Sequence, residues 1–152
     1  INASKEPVTL IPGSSITDHV VSFAMMRGGH IDLTILGAFQ VSAGGDLANW
    51  DTGQPDAIPA VGGAMDLAVG AKQVYVTMDH VTRDGTPKIV EQCSYPLTGC
   101  GVVDRIYTDL AVIDVTPDGL VVTAMTEGLS FDVLQSMTGA PLKRGEHIGL
   151  LT

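Results

Sequence analysis

Charged side chains are scarce in this chain of 152 residues. They account for 16% of the sequence, whereas aromatic residues account for 5% and hydrophobic residues for 45%. Disordered chains combine low hydrophobicity with high charge, so this composition excludes disorder and predicts one folded domain with a substantial core. The low charge also predicts that a partner chain covers part of the surface.

Basic residues are fewer than acidic ones. Eight Lys and Arg stand against 17 Asp and Glu, for a formal net charge of -9. Nucleic acids and anionic membranes repel such a chain, which excludes them as partners. No apolar run approaches the roughly 18 residues that cross a bilayer. The amino end carries no charged-then-apolar leader, so we expect a cytoplasmic protein rather than a secreted one.

Cysteine and histidine are too few and too dispersed for a metal site. Cys93 and Cys100 form no CxxC motif, and we expect both to be reduced thiols, buried or half-buried. No histidine stands at a metal-ligand spacing from another, so we expect neither a metal nor a tightly bound cofactor. Asp79-His80 follows a predicted strand and is the best-placed acid–base pair. We favour instead a strand-end histidine held by local hydrogen bonds.

Hydrophobic periodicity predicts alternating strands and helices. Strands are predicted at 8–11, 31–41, 73–78, 88–93 and 103–108, with a hairpin of 110–115 and 120–124. One helix is predicted to run from a Ser15 cap to Gly28, a second spans 64–69, and a third follows a Ser130 cap. We therefore predict an α/β fold of three layers, with a mostly parallel sheet, flanking helices and an antiparallel edge.

The polar stretch at 37–66 runs from a strand to a double glycine. Loops of this length inside compact domains are uncommon and are more often functional. At Gly62 and Gly63, two backbone N–H groups lack side-chain cover where a helix begins. Such a helix start favours binding of a negatively charged oxygen. From these residues alone, a simple strand-to-helix turn is a better interpretation than an anion-binding site.

Several segments carry a family resemblance that covers nearly the whole chain. They are FAMMRGGHID at 23–32, GAFQV at 37–41, GDLANW at 45–50, GGAMDLA at 62–68, YPLTG at 95–99 and RIYTDLAV at 105–112. Together they resemble the second (B) subunit of 3-oxoacid CoA-transferases and look closest to the 3-oxoadipate branch. The resemblance implies the NagB/RpiA-like fold of family I CoA-transferases over residues 1–142, and it leaves 143–152 as a tail.

The resemblance implies transfer of CoA from succinyl-CoA to a 3-oxoacid, with 3-oxoadipate as the expected acceptor, through a glutamyl-CoA thioester. The family's nucleophile is the glutamate of a Ser-Glu-Asn-Gly sequence, which this chain lacks. We expect that glutamate upstream of Ile1 and assign no catalytic residue within residues 1–152. Coenzyme A is then a substrate. The expected partners are an A subunit and the missing amino-terminal segment, in a heterotetramer or larger assembly.

Five residues are implied as one wall of the CoA site. Matching family positions make Gly62, Gly63 and Ala64 the backbone donors to a developing oxyanion. Asn49 is expected to hold the pantetheine amide or the acyl group, although an Asx-turn within its loop is an equally good reading of the residues alone. Lys5 matches a family lysine near CoA, whereas by itself it would be a solvated charge.

Two alternatives stay open. One is a related enzyme that acts on acetoacetate or another short 3-oxoacid. The other is a non-catalytic ligand-binding domain of the same fold, which the absence of Ser-Glu-Asn-Gly favours.

Overall fold

The computed structural model describes residues 5–53 and 59–151. These ranges contain three helices and nine strands. The helices are α1 (His19–Arg27), α2 (Ala64–Gly70) and α3 (Phe131–Ser136). The strands are β1 (Thr34–Gly37), β2 (Gln40–Ser42), β3 (Leu47–Ala48), β4 (Val74–Thr77), β5 (Ile89–Val90), β6 (Arg105–Tyr107), β7 (Ala111–Thr116), β8 (Gly119–Thr126) and β9 (Leu142–Leu151).

Six strands form the main sheet, in the order β1-β4-β6-β7-β8-β9. Strands β1, β4 and β6 run parallel, as do β8 and β9, whereas β7 is antiparallel to both of its neighbours. The predicted hairpin is present as β7 and β8, which close between Thr116 and Gly119. The predicted α/β fold, with a mostly parallel sheet and antiparallel strands on one side, is confirmed.

A second sheet of three short strands, β3-β2-β5, was not predicted. The apolar run at 31–41 supplies one strand to each sheet, because β1 pairs with β4 whereas β2 pairs with β3 and β5. The chain changes sheet at Ala38 and Phe39. Both strands contribute buried residues, such as Thr34 and Val41, so hydrophobicity alone could not separate them.

The first helix begins later than predicted. The Asp18 carboxylate accepts the N–H of Val21 at 2.9 Å, so Asp18 is the N-cap and the predicted Ser15 cap is wrong. The predicted helix end at Gly28 is confirmed. Helices α2 and α3 begin as predicted, and the Ser130 hydroxyl caps α3.

The predicted strand at 8–11 does not form. Val8, Leu10 and Ile11 lie in irregular backbone and are more than half exposed. No described strand pairs with this segment. An unpaired apolar run gains neither ladder hydrogen bonds nor burial, so β-propensity alone does not make it a strand.

The carboxyl-terminal segment belongs to the main sheet. Residues 143–151, part of the segment set apart above as a tail, lie in β9, which pairs in parallel with β8 from Leu142 to Leu151. Most side chains of β9 are exposed, as expected for an edge strand. Backbone pairing rather than a buried apolar pattern defines this strand, so the sequence did not reveal it.

One face of the main sheet carries the core. Side chains from both sheets and from α2 and α3 pack there in a single cluster. Its members include Val41, Leu47, Ala68, Val76, Ile89, Ile106, Ile113 and Leu134.

The opposite face of β1, β4 and β6 is open. Leu33, Ile35, Tyr75, Thr77 and Tyr107 line an apolar cleft of about 350 Å³ on this face, and Ile35 is 61% exposed. We call these five residues the open face. Parallel strands are almost always covered on both faces, so an uncovered apolar face on these strands is unusual.

Candidate functional site

Two of the family-like segments meet where α1 contacts α2. Arg27 Nε lies 2.7 Å from Asp66 Oδ1, and the Arg27 guanidinium carbon lies 5.5 Å from the centroid of the Phe23 ring. The hydrogen bond from Arg27 lowers the pKa of Asp66. The helix backbones approach so closely that a Cβ on Gly70 would lie 2.2 Å from the carbonyl oxygen of Met26. Packing between α1 and α2 therefore explains many of the residue types in both segments.

The turn Gly62-Gly63-Ala64 leads into α2. Gly62 has a φ of 55°, a conformation that L side chains rarely adopt. Gly63 is the N-cap without a side-chain hydrogen bond, and the N–H of Ala64 donates to the carbonyl of Val61 at 3.3 Å. A Cβ on Gly63 would lie 3.2 Å from Cζ of Phe23. Glycine is thus favoured at 62 by backbone conformation and at 63 by packing.

Asn49 ties three of the family-like segments together. Its Nδ2 donates to the carbonyl of Gly37 at 3.0 Å, and its Oδ1 accepts the Thr98 hydroxyl at 2.6 Å. The neighbouring Trp50 donates from Nε1 to the carbonyl of Leu97 at 3.3 Å. These partners are distant in sequence, so tertiary contacts hold the Asn49 side chain, and within residues 5–53 it forms no Asx-turn of its own. One Nδ2 hydrogen of Asn49 remains for a ligand.

The predicted site residues do not form one connected cluster. Lys5 is exposed, with a φ of 65°. No hydrogen bond between described residues joins Asn49 to Gly62, Gly63 or Ala64. The predicted loop positions 54–58, and Ile1 with residues 2–4, lie outside the described residues.

His80 is fully buried between two threonine hydroxyls. Its Nδ1 lies 3.0 Å from Thr108 Oγ1 and its Nε2 lies 2.9 Å from Thr138 Oγ1. Burial lowers the pKa of His80, and the nearby charge of Asp109 opposes that shift only in part. The prediction that His80 is a structural residue held by hydrogen bonds is confirmed. Its hydrogen bonds are long-range, however, and not local as predicted.

Asp46, in the turn between β2 and β3, lies beside Cys93, which follows β5. Asp46 accepts hydrogen bonds from the Ser42 hydroxyl and the Gly101 N–H, both at 2.9 Å, which fixes the turn. Burial and the nearby Asp46 raise the pKa of the half-buried Cys93 thiol to about 11. Cys100 is exposed, so the prediction that both thiols are at least half-buried is wrong for Cys100.

A cleft lies beyond the carboxyl ends of β1 and β4. It has a volume of about 260 Å³ and holds two basic side chains, Arg83 and Lys88. We call it the Arg83–Lys88 cleft. Its lining residues are Phe39, Thr52, Asp79, Val81, Thr82, Arg83, Lys88 and Tyr95. In open α/β sheets, ligands bind outside the carboxyl ends of the strands, so this is the expected edge for a site.

Sequence reasoning missed this cleft. The available signal was weak: two of only eight basic residues follow β4 within one short turn. Within the described ranges, no group of three His, Cys, Asp or Glu side chains could hold a metal ion. Among the helices described there, none has the length and apolar character needed to cross a bilayer.

Comparisons with known proteins agree with the motifs. The family model described as coenzyme A transferase matches residues 1–136. The chain is 65% identical over 142 residues to the B subunit of the 3-oxoadipate CoA-transferase of Acinetobacter baylyi, covering 93% of this chain and 65% of that protein. It is 48% identical over 140 residues to the B subunit of the succinyl-CoA:3-ketoacid coenzyme A transferase of Helicobacter pylori, covering 92% of this chain and 67% of that one. The chain thus spans about two thirds of the length of these curated relatives.

Solved structures share the fold at lower identity. The acyl-CoA transferase YdiF of Escherichia coli O157:H7, solved as a thioester complex with CoA, has a TM-score of 0.77 at 18% identity, covering 91% of this chain and 31% of that chain. Glutaconate coenzyme A-transferase from Acidaminococcus fermentans has a TM-score of 0.70 at 16% identity, covering 91% and 62%. With the family model matched along most of its length, the chain belongs to the coenzyme A transferase family.

Proposed function

We propose that this chain is part of the B subunit of an enzyme that moves CoA from succinyl-CoA to 3-oxoadipate. The observation that carries the proposal is the 65% identity to the B subunit of the 3-oxoadipate CoA-transferase of Acinetobacter baylyi. Identity to the succinyl-CoA:3-ketoacid relative of Helicobacter pylori is lower, at 48%. This difference favours 3-oxoadipate over acetoacetate or another short 3-oxoacid.

The reaction needs a carboxylate nucleophile, which we place on a glutamate outside residues 1–152. Its carboxylate attacks the thioester carbonyl of succinyl-CoA and expels the CoA thiolate, leaving an acyl anhydride. The thiolate then attacks the glutamyl carbonyl, forms the glutamyl-CoA thioester and releases succinate. In the second half-reaction, the 3-oxoadipate carboxylate displaces the thiolate to give a new anhydride. The thiolate attacks its acyl carbonyl, which releases 3-oxoadipyl-CoA and regenerates the glutamate.

Within this chain, we assign the oxyanion-binding role to the backbone at Gly62 and Gly63. Ala64 was predicted as a third donor, but its N–H donates to the carbonyl of Val61, so we assign it to the wall of the site only. Each tetrahedral intermediate places negative charge on an oxygen, and fixed N–H donors in a water-poor site stabilise it. The remaining Nδ2 hydrogen of Asn49 would donate to the pantetheine or acyl oxygen, with its amide orientation already fixed by Gly37 and Thr98. These assignments rest on the matching family positions.

Lys5 is assigned an electrostatic role on the same ground. Its ammonium would pair with a phosphate of CoA or with a substrate carboxylate. The residue lies at the start of the described chain and is exposed, which leaves the ammonium accessible to a ligand.

The proposed partners are an A subunit and the family segment that carries Ser-Glu-Asn-Gly, in a heterotetramer or larger assembly. The open face is consistent with an additional polypeptide that covers it, because Leu33, Ile35 and Tyr107 form an apolar surface on a parallel part of the sheet. A cytoplasmic location is part of the proposal. It fits the two free thiols, Cys93 and Cys100.

The test is an assay of the complete B subunit expressed with its A subunit. With succinyl-CoA as donor, we expect kcat/KM for 3-oxoadipate to exceed that for acetoacetate by about tenfold or more. Incubation with succinyl-CoA alone should attach CoA to a glutamate in a peptide outside residues 1–152, detected by mass spectrometry. A preference for acetoacetate would refute the substrate assignment. Absence of any transfer would instead favour the ligand-binding alternative.

A further inference from the structure

None of the roles assigned above uses the Arg83–Lys88 cleft. Four separate segments line it: the link between β1 and β2, the loop after β3, the turn between β4 and β5, and the segment that begins at Tyr95. At about 260 Å³ it has room for one end of a small metabolite but not for a whole coenzyme.

A hydrogen-bonded turn holds the two basic residues at this cleft. The N–H of Thr82 donates to the carbonyl of Thr86 at 2.9 Å, and the N–H of Gly85 donates to the carbonyl of Thr82 at the same distance. At the base of the turn, the N–H of Lys88 donates to the carbonyl of His80 at 3.2 Å. Because His80 is fully buried, the turn is anchored in the core, and the backbone that carries the cations is organised in advance.

The charges of Arg83 and Lys88 are uncompensated by ion pairs. In the described part of the chain, three other basic residues form ion pairs, whereas these two form none. The three pairs are Arg27–Asp66, Lys72–Asp32 and Arg105–Asp114.

Two carboxylates lie near these cations. Asp84, at the tip of the turn, accepts hydrogen bonds from the hydroxyls of Thr82 and Thr86. Asp79 lines the cleft, so together with Asp84 two carboxylates stand against the two cations. In a protein with a net charge of -9, two basic residues that line one cleft without forming an ion pair to any described residue are a local exception.

We propose that the Arg83–Lys88 cleft binds an anionic end group, a carboxylate or a phosphate, of the substrates. The Arg83 guanidinium can donate two parallel hydrogen bonds to such a group, and the Lys88 ammonium adds a point charge. The hydroxyls of Tyr95 and Thr52 supply neutral donors on the same wall. This inference rests on the proposed function and adds a specificity determinant to it.

Two parts of the proposed substrates carry that chemistry. Succinyl-CoA and 3-oxoadipate each end in a carboxylate remote from the reacting carbonyl, and acetoacetate has none. The nucleotide end of CoA carries phosphates, which pantetheine lacks. In ping-pong kinetics, kcat/KM for each substrate reports its own half-reaction, so donor and acceptor can be tested separately.

The experiment compares Arg83→Gln and Lys88→Gln with the wild type in the complete two-subunit enzyme. Acceptors are 3-oxoadipate and acetoacetate, and donors are succinyl-CoA and succinyl-pantetheine. The matched control is Lys143→Gln, which removes an exposed lysine on β9. Lys88→Arg, which keeps the charge, should restore most of the lost activity.

Each neutral variant is expected to lose about 10- to 100-fold in kcat/KM for the substrate that carries the bound group. If the cleft holds a carboxylate, the loss affects 3-oxoadipate and both donors and spares acetoacetate. If it holds a phosphate, the loss affects succinyl-CoA and spares succinyl-pantetheine. An equal loss on every substrate, or none, would overturn the inference while the wild-type activity still stands. A wild-type assembly that transfers no CoA would overturn the proposed function as well.

Discussion

His80 is a buried side chain whose hydrogen bonds determine its protonation state. Thr138 Oγ1 donates to the carbonyl of Leu134 at 2.8 Å, so it accepts a hydrogen from Nε2 of His80. The Thr108 hydroxyl lies 3.1 Å from the carbonyl of Ala111 and 3.0 Å from Nδ1 of His80, and beside a neutral ring it donates to Nδ1. Nε2 then carries the ring hydrogen and donates to Thr138. This neutral tautomer satisfies every group, as inferred from the hydrogen-bond network.

The neutral His80 predicts a loss of stability in mild acid. The pKa of the folded histidine is lowered from 6.5, so below that pH the unfolded chain binds a proton that the folded protein does not. The free energy of unfolding should therefore fall with pH, by up to about 1.4 kcal/mol per unit, until the lowered pKa is reached. Chemical denaturation of the complete enzyme from about pH 7.5 to about pH 5 measures this fall, because that range brackets the pKa of an ordinary histidine.

The variant that isolates this effect is His80→Gln, which keeps an amide donor for Thr138 and does not titrate. We expect it to be less stable at neutral pH by about 1–3 kcal/mol, because the buried hydrogen bond between Thr108 and the ring is lost. Its stability should nevertheless depend less on pH than that of the wild type. An unchanged pH dependence in the variant would show that groups other than His80 cause it.

The contact between α1 and α2 is the element-scale feature that explains two of the family-like segments. Phe23 of α1 crowds position 63, and the backbone of Met26 crowds position 70. The two sites differ in what a Cβ would meet. At Gly63 it meets the edge of a ring that can shift, whereas at Gly70 it meets the backbone of Met26.

Gly70→Ala is therefore expected to destabilise the enzyme. The added Cβ would lie 2.2 Å from a backbone oxygen, so the two helices must separate, at a cost of about 1–3 kcal/mol. The midpoint of chemical denaturation measures this cost. Gly44→Ala is the matched control, because its Cβ would meet only the Ser42 hydroxyl at 3.8 Å. Equal stabilities of the two variants would contradict the close helix contact.

At the scale of the whole molecule, the main sheet is covered on one side and open on the other. The core cluster lies on the covered side, whereas the open face presents an apolar cleft beside β1, β4 and β6. Tyr75 and Tyr107 pack against each other within it, with ring centroids 5.7 Å apart. An apolar patch of this kind marks a surface that another polypeptide covers.

We expect the chain 1–152, purified alone, to bind a hydrophobic dye and to self-associate through the open face. Ile35→Thr should reduce both, because Ile35 lies on the edge strand β1 and is 61% exposed on that face. Ile16→Thr is the matched control, since Ile16 is 86% exposed before α1 and lies off the sheet. Dye fluorescence and light scattering measure the outcome. Equal effects of the two substitutions would show that dye binding and self-association do not depend on the open face.

The complete enzyme provides the second half of this comparison. There the open face is covered under our proposal, so wild-type enzyme should bind little dye and Ile35→Thr should weaken the assembly. Strong dye binding by the complete wild-type enzyme would mean that this face stays uncovered.

The sequence by itself determined the family, the α/β class and the elements whose signals are local. The hairpin β7–β8, the Ser130 cap and the α2 start were predictable because turn residues and caps act within a few positions. The motif matches likewise needed no tertiary structure.

Tertiary structure alone decided the features that depend on distant partners. The run at 31–41 is divided between two sheets, the exposed β9 joins an edge, and the apolar segment at 8–11 stays unpaired, because strand formation depends on which neighbour supplies hydrogen bonds. The same reason applies to function. Asn49 is oriented by Thr98 and Gly37, and the turn that carries Arg83 and Lys88 meets Thr52 and Tyr95, only because the fold brings separate segments to the same end of the sheet.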